Sequence, residues 1–199
     1  MKNLIKIAII AVIVFTGFGF KMESKIEGES KIQWLTIQEA YMRWKKEPRK
    51  FIIDVYTDWC GWCKVMDKNT FSDKIVADYI NRSYYAVKFN AEQKEEVVLG
   101  DKIFKFVENG QGGGYHQLGA SLLNNQLSYP TVVFLDEKMG MIQPVPGYRN
   151  ALEFHQLVTY FNGNYNRIEQ FEKYQTETYQ QIYANAKPKA EVQEKKAEH

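Results

Sequence analysis

The sequence predicts an α/β fold, with a central mixed β-sheet and helices on both of its faces. Apolar, β-branched runs at 51–55 and 84–89 are separated by a stretch with helical patterning, which is typical of a βαβ unit with two parallel strands. A third run at 131–136 is followed by a turn and a strand at 141–145, so these two segments pair as an antiparallel hairpin. A helix at 150–161 closes the fold.

An amphipathic helix is predicted before the first strand. Thr36 and Glu39 have the spacing of a capping box, in which each side chain accepts a hydrogen bond from the other residue's backbone N–H. Apolar residues then recur with helical spacing until Pro48, which ends the pattern. We expect this helix to cover an edge or a face of the sheet, and we interpret Trp34 and Trp44 as core residues.

The two cysteines of the chain, Cys60 and Cys63, directly follow the first strand at the start of a predicted helix. Unpaired backbone N–H groups and the positive end of the helix dipole stabilise a thiolate at such a position. Cys60 is therefore the expected attacking thiol. Cys63 lies one turn further into the helix and is expected to be more shielded. Its thiol would resolve the mixed disulfide that Cys60 forms and close a Cys60–Cys63 disulfide.

Two other roles for the cysteine pair are weaker. A zinc site needs a second pair of ligands, and the three histidines of the chain supply no closely spaced pair. A purely structural disulfide over so short a loop would constrain little of the unfolded chain. We therefore expect a redox-active pair and no metal site.

Asp54 is an acidic residue inside the apolar run of the first strand. An ionised carboxylate would be costly there without partners. In one interpretation, burial raises the pKa of Asp54 and the carboxyl group exchanges a proton with Cys63. In the other, Asp54 forms an ion pair with Lys88, and the two roles are compatible. Trp59 and Trp62 flank the thiols and are candidates for docking polypeptide; Trp59 also fits a packing role, and Trp62 is expected to be the more exposed.

Over roughly residues 34–161 the sequence resembles the thioredoxin superfamily, with the motifs of that family in the same order. The motif Trp-Cys-Gly-x-Cys-Lys is present at 59–64, and the buried acid of thioredoxins, six residues before the first cysteine, is matched by Asp54. The lysine after the next strand is matched by Lys88, and the family's cis-proline before a strand by Tyr129-Pro130. The resemblance implies a three-layer thioredoxin-like fold.

The resemblance also implies roles for individual residues. Lys88 is expected to tune Asp54. A cis Pro130 would place the backbone of Tyr129 beside the disulfide, where an extended substrate could pair with it as an added strand. The Gly61-Trp62 dipeptide differs from the Gly-Pro of cytosolic thioredoxins. It looks more like exported thioredoxin-like proteins related to the C-terminal domain of the periplasmic disulfide reductase.

The function that follows is an exported thiol–disulfide oxidoreductase that reduces disulfides in proteins. It needs no cofactor and no metal, only protein substrates that carry disulfides or thiols and an upstream redox partner that resets the Cys60–Cys63 pair. Two alternatives stay open. One is a disulfide oxidase or isomerase, and the other is a binding or chaperone-like module in which the fold presents an aromatic groove and the cysteines are incidental.

Residues 1–19 have the layout of a secretory signal peptide. Two lysines precede an uncharged run over 7–20 that ends in small residues, and cleavage is expected after Gly19. The alternative is an uncleaved membrane tether formed by residues 1–20, although the apolar run is slightly short for a full span. Either interpretation predicts an exported, periplasmic protein, free or anchored to the membrane.

Charge and composition indicate the character of the chain after residue 19. Without residues 1–19 the chain has 24 basic and 24 acidic residues, so it has no electrostatic reason to bind nucleic acid. Residues 20–33 are polar and mixed in charge, which is typical of a linker. We therefore expect the folded domain to extend over 34–161.

Three segments around the core are less regular. Ser72 is predicted to cap a helix that runs to Asn81. Between the second strand and Pro130 the chain is longer than in thioredoxins, which the resemblance makes an insertion. Residues 97–107 are helical in composition, the glycines at 112–114 are interpreted as a flexible turn rather than a phosphate cradle, and 118–127 forms a short helix or an ordered loop.

An additional helix is predicted C-terminal to the domain, over 162–186. A stripe of helical spacing continues there, at Tyr165, Ile168, Phe171, Gln175, Tyr179 and Ile182. We expect this helix to pack on the domain, since short isolated helices are marginal in water. A helix that docks a partner is the alternative. Residues 187–199 are charged and nearly devoid of apolar side chains, which predicts a disordered tail.

Overall fold

The computed structural model describes residues 31–110 and 112–188 of the chain. The elements in chain order are α1 (Ile37–Trp44), β1 (Lys50–Tyr56), α2 (Gly61–Asn69), α3 (Lys74–Ser83), β2 (Tyr84–Asn90), β3 (Val97–Leu99), β4 (Lys102–Phe104), β5 (Phe106–Glu108), β6 (Gly114–His116), α4 (Gln117–Leu122), β7 (Thr131–Leu135), β8 (Met141–Pro146), α5 (Ala151–Asn162), α6 (Phe171–Lys173) and α7 (Tyr179–Ile182).

The central sheet has four strands in the order β2-β1-β7-β8. Strands β1 and β2 are parallel, whereas β1 and β7 and then β7 and β8 are antiparallel. The predicted mixed sheet, the βαβ unit and the hairpin are therefore confirmed. Strand β8 lies at the sheet edge and contains Pro144 and Pro146, which donate no hydrogen bond to a neighbouring strand.

Two hydrophobic cores lie on opposite faces of this sheet, because successive side chains of a strand point to opposite sides. Ile52 packs in the core that includes residues of α3 and α5, whereas its neighbour Ile53 packs in the core that includes residues of α1 and α4. The same alternation places Asp54 on the face of Ile52, the face on which Met66 of α2 also packs. The helices thus cover both faces, as the three-layer fold requires.

Of the two helix caps predicted from the sequence, one is observed and the other is displaced by one residue. The capping box of α1 is confirmed, since the Thr36 side chain accepts a hydrogen bond from Glu39 N–H and the Glu39 carboxylate accepts one from Thr36 N–H. The cap predicted for α3 is wrong by one residue. Asp73 caps that helix by accepting from the N–H groups of Ile75 and Val76, while the Ser72 hydroxyl donates to the carbonyl of Lys68 instead.

The helix predicted over 97–107 is wrong, because this segment forms strands. β3 and β4 pair as a hairpin whose turn contains Gly100 at a φ of 64°, and β5 pairs with β6. The valine and isoleucine side chains of the segment favour strands, and two glycine-containing turns let them fold back. Gly114 belongs to strand β6, where a Cβ atom would lie 2.2 Å from the carbonyl oxygen of Val107. Of the short helix and the ordered loop predicted for 118–127, the helix is present over part of the segment, as α4.

The C-terminal segment departs from the predicted stripe. Ile168 and Ile182 are 77% and 50% exposed, whereas Tyr174 and Tyr179 are fully buried. Residues 174–178 form a π-helical turn between α6 and α7. Because a π-helix bonds residues five apart, it brings Tyr174 and Tyr179 to the same face of the segment. Their hydroxyl groups reach the side chains of Thr159 and His155 on α5.

Some predictions concern residues outside the described parts of the chain. They are the signal peptide at 1–19 or the tether at 1–20, most of the linker at 20–33, and most of the tail at 187–199. Within 31–110 and 112–188, no helix is both long and apolar enough to cross a membrane.

Candidate active site

The cysteine pair lies where the central strand β1 passes into α2. Cys60 is the N-cap residue of α2, and its sulfur accepts a hydrogen bond of 3.1 Å from the backbone N–H of Cys63. The backbone N–H of Cys60 donates to the Thr57 carbonyl, which fixes the turn between strand and helix. Cys60 and Cys63 are joined as a disulfide. The geometry predicted for the pair, at the start of a helix, is therefore observed.

The two cysteines are equally exposed in this disulfide form, at 4% each, so the prediction that Cys63 is the more shielded is wrong. Their positions in the helix still differ. A thiolate at Cys60 would receive the Cys63 N–H and lie at the positive end of the α2 dipole, and both interactions stabilise an anion. Cys63 follows inside the first turn of the helix and has no such position. The chemical asymmetry of the pair therefore comes from the helix rather than from burial.

Asp54 and Lys88 form an ion pair on the sheet, which is one of the two roles predicted for Asp54. They are Cα partners in the parallel strands β1 and β2, and Lys88 Nζ lies 3.2 Å from Asp54 Oδ2. Burial raises the pKa of Asp54 to about 6, against the attraction of Lys88, which lowers it. The other carboxylate oxygen, Oδ1, is buried and makes no hydrogen bond within the described residues. This oxygen is therefore able to bind a proton.

Lys88 also forms an ion pair with Asp67 of α2. Asp67 further raises the pKa of Asp54 by charge repulsion. The ammonium group of Lys88 lies 5.2 Å from the ring centroids of Trp34 and Tyr56, close enough for cation–π attraction. Lys88 is thus shared between two carboxylates and held by aromatic rings, which limits how strongly it can stabilise the ionised form of Asp54.

Two aromatic pairs involve the tryptophans of the cysteine motif, of which Trp59 precedes Cys60 and Trp62 lies between the two cysteines. Trp59 contacts Tyr129 edge to face, with ring centroids 5.9 Å apart, and Trp62 contacts Tyr148 at 5.4 Å. Trp59 is 66% exposed and Trp62 62%, so the prediction that Trp62 is the more exposed is wrong. The Tyr129–Pro130 peptide bond is cis, as the resemblance implied. Tyr129 is half-buried and Pro130 is buried.

Three residues near the site were missed at the sequence level. Asp67 follows Cys63 by four residues, so the i, i+4 rule for a helix face would have pointed to it. Glu92, which accepts a hydrogen bond from Trp59, lies in the insertion, and Tyr148 follows strand β8. No local pattern connects either of these two residues with the cysteines. In the described part of the chain, no three histidine, cysteine, aspartate or glutamate side chains are grouped to hold a metal ion.

Comparison with known proteins places the chain among thioredoxin-like proteins. The sequence profile of the family Thioredox_DsbH, described as "Protein of unknown function, DUF255", matches residues 25–180. The thiol:disulfide interchange protein DsbD of Pectobacterium atrosepticum is 29% identical over 112 residues, which are 55% of this chain and 16% of that protein. The chain spans only 10% to 16% of the length of the curated relatives that it matches.

Two solved structures are similar to part of this chain. A structure titled "DsbH Oxidoreductase" aligns with a TM-score of 0.49 and 15% identity, over 70% of this chain and 90% of that chain. A thioredoxin from Thermus thermophilus aligns with a TM-score of 0.48 and 18% identity, over 66% of this chain and 87% of that one. Because the family profile covers well over half of the sequence, the chain belongs to the Thioredox_DsbH family of thioredoxin-like proteins.

Proposed function

We propose that this protein is an exported thiol–disulfide oxidoreductase that reduces disulfides in other proteins. The observation that supports this most directly is the position of the Cys60–Cys63 pair at the N-terminus of α2, shortly after the strand that carries Asp54. A helix N-terminus favours the thiolate needed for attack, and a buried carboxyl group with a raised pKa supplies a proton acceptor.

The reaction starts from the reduced pair. The Cys60 thiolate attacks one sulfur of a substrate disulfide, forms a mixed disulfide and releases the other substrate sulfur as a thiolate. The Cys63 thiol gives up its proton and attacks the Cys60 sulfur. This step releases the second substrate thiolate and forms the Cys60–Cys63 disulfide, so the pair loses two electrons and the substrate disulfide gains them. An upstream redox partner must then return two electrons to the pair.

Asp54 is the proposed acceptor of the Cys63 proton. With a pKa raised to about 6, its carboxylate is mostly ionised at neutral pH, and its Oδ1 makes no hydrogen bond within the described residues. Lys88 stays beside it through the ion pair with Oδ2. We expect Asp54→Asn to leave attack by Cys60 fast and to slow resolution by Cys63, measured as the lifetime of a mixed disulfide trapped by rapid quench. Unchanged resolution at neutral pH would remove this role.

The exposed aromatic pairs are the proposed docking surface for the substrate. Trp59 with Tyr129 and Trp62 with Tyr148 offer apolar area around the cysteine motif. An extended segment around a substrate cysteine could bind there as an added strand. This fits protein substrates better than small thiols, because a small thiol uses neither the rings nor the backbone.

The reduction potential of the Cys60–Cys63 pair tests the direction of electron flow. We expect a value near that of thioredoxin, about −270 mV, from equilibration with glutathione, whereas a value near about −120 mV would mark an oxidase and an intermediate one an isomerase. The double variant Cys60→Ser, Cys63→Ser is the control. If it retained full activity, the binding or chaperone-like module would replace the redox function.

Export is proposed from the sequence of residues 1–19 alone, which supports a signal peptide through its lysines and uncharged run. Fusion of residues 1–33 to a reporter enzyme that is active only in an oxidising compartment tests it. Active reporter in the periplasmic fraction is the expected result, and N-terminal sequencing of the secreted product distinguishes cleavage from a retained tether. Reporter confined to the cytoplasm would contradict export.

A further inference from the structure

A cleft of about 260 Å³ lies between the hairpin of β3 and β4, helix α4 and the turn that joins β7 to β8. Its lining is mostly apolar and includes Ile53, Leu99, Phe104, Leu118, Leu122 and Leu135. Because successive side chains of a strand point to opposite faces, Ile53 and Asp54 lie on opposite sides of the sheet. None of the residues of the candidate active site lines this cleft, so it is a separate feature of the molecule.

The insertion supplies one wall of the cleft through the two faces of its first hairpin. Leu99 and Lys102 are Cα partners across β3 and β4, and the alternation along β4 places Phe104 on the same face as Lys102. All three residues line the cleft. The opposite face of the hairpin carries Val98 and Ile103, which are 50% and 56% exposed. A cation, Lys102, is therefore on the face that lines an apolar cleft, while two apolar side chains are on the outer face.

Met139 lines the cleft from a strained backbone conformation. Its φ is 61°, in the left-handed region that a bulky residue adopts only at a cost, although a glycine follows at 140. The backbone N–H groups of Met139 and Gly140 both donate to Asp136, which holds the turn in this form. Met141 lines the cleft beside it. Methionine side chains are unbranched and adapt to the shape of an apolar partner, so this wall is suited to a ligand.

Lys102 and Ser121 are the polar residues of the lining. Both are exposed, so they lie at the rim of the cleft and not in its depth. Within residues 31–110 and 112–188, the ammonium group of Lys102 makes no ion pair. The acid that precedes β3, Glu96, pairs instead with Lys105. The cleft thus combines an apolar interior with one positive charge at its rim, which is the arrangement that orients a ligand with an apolar body and an anionic end.

We propose that this cleft binds a medium-chain fatty acid, with the alkyl chain between the hairpin and α4 and the carboxylate on the ammonium group of Lys102. An alkyl chain needs no hydrogen-bond partner in the apolar interior. A peptide would bury amide groups there, and two polar side chains at the rim could not satisfy them. The charge of Lys102 selects an anionic head group over a neutral or cationic one. This binding site is independent of the proposed reductase function, because it lies on the other face of the sheet from Asp54.

Titration calorimetry of the oxidised full chain with decanoate, below the concentration at which decanoate forms micelles, tests the site. We expect saturable binding with one ligand per chain. From octanoate to decanoate the Kd should fall about fifteenfold, because each buried methylene group contributes about fourfold. Decanol has the same chain without the charge and should bind more weakly, and decyltrimethylammonium should bind most weakly of the three.

Two variants test the two halves of the ligand separately. Lys102→Met keeps an unbranched side chain without the charge, so it should weaken decanoate about tenfold and leave decanol unchanged. Lys105→Met removes a charge from the same hairpin and is its matched control. Met139→Gly removes an apolar wall and relieves the left-handed backbone, so the protein should stay folded and bind decanoate and decanol about fivefold more weakly. Asn125→Gly relieves another left-handed residue, away from the cleft, and should change neither affinity.

Four results would overturn the fatty-acid site. Undetectable or unsaturable heat with decanoate is the first, and equal affinity for decanoate and decyltrimethylammonium, which would indicate general adsorption of amphiphiles, is the second. The third is an equal loss of decanoate affinity in Lys102→Met and Lys105→Met. The fourth is a dimer in sedimentation experiments that Met139→Gly dissociates, since this would assign the cleft to a second copy of the chain. No readout involves disulfide reduction, so the proposed function can fail without affecting this test.

Discussion

The charge of buried Asp54 should cost this protein stability at neutral pH, and Asp54→Asn removes that cost. Burial raises the pKa of Asp54 from its ordinary 3.8 to about 6. At 1.36 kcal/mol per pKa unit, this difference corresponds to about 3 kcal/mol. Below pH 3.8 the carboxyl group is protonated in both the folded and the unfolded chain, so the cost is absent. It grows as the pH rises towards 6 and is complete above it.

Urea unfolding of the oxidised protein, followed by tryptophan fluorescence, measures this cost. We expect Asp54→Asn to gain about 3 kcal/mol in unfolding free energy relative to wild type between about pH 3 and about pH 8. The asparagine leaves Lys88 paired with Asp67, so the variant does not leave a lysine without a carboxylate. The relevant quantity is the difference between the two proteins, because the other titrating groups are common to both.

A difference that does not vary with pH would refute the reasoning about Asp54. It would mean that the pKa of the carboxyl group is the same in the folded and the unfolded chain. A variant that loses stability as the pH rises would refute it more strongly, since this would show that the ion pair with Lys88 outweighs burial. Direct titration of the Asp54 carboxyl carbon by NMR checks the same pKa without unfolding the protein.

Three further predictions concern the surroundings of the site and the C-terminal segment. Asp67→Asn removes the acid that repels Asp54 and competes for Lys88, so the pKa of Asp54 should fall, as seen by NMR titration, and the mixed disulfide should be resolved efficiently down to a lower pH. Burial lowers the pKa of His155 to about 4, so the buried neutral imidazole contributes fully to stability above pH 6.5, and this contribution is lost as the pH falls towards 4. The Asp54→Asn variant lacks the carboxyl group whose titration opposes this effect. In that variant, acidification from pH 6.5 to pH 4 should lower the free energy of unfolding, measured with urea, by about 3 kcal/mol. Tyr174→Ala should cost about 3–5 kcal/mol in unfolding free energy, whereas Ile168→Ala should change it by less than about 0.5 kcal/mol, and equal effects would contradict the π-helical turn.

Local patterns in the sequence predicted much of the fold. The capping box at Thr36 and Glu39, the prolines of strand β8 and the cysteines after an apolar strand all act over a few residues, so the sequence alone identifies them. The prediction of a helix over 97–107 was wrong because no periodic pattern separated its β-branched residues into two hairpins. Their strands are only three residues long, too short for alternation to show.

The chemistry of the candidate site was determined in part by the sequence: the cysteine pair, its place at a helix start, and an acid and a lysine on neighbouring strands. Only the tertiary structure determined which charged and aromatic side chains surround those groups. Asp67 reaches Lys88 from α2, and Glu92 reaches Trp59 from the insertion, 33 residues away along the chain. Local patterns encode backbone conformation through neighbours in sequence, whereas the pKa of Asp54 and the orientation of Trp59 depend on charges and rings that only folding brings together.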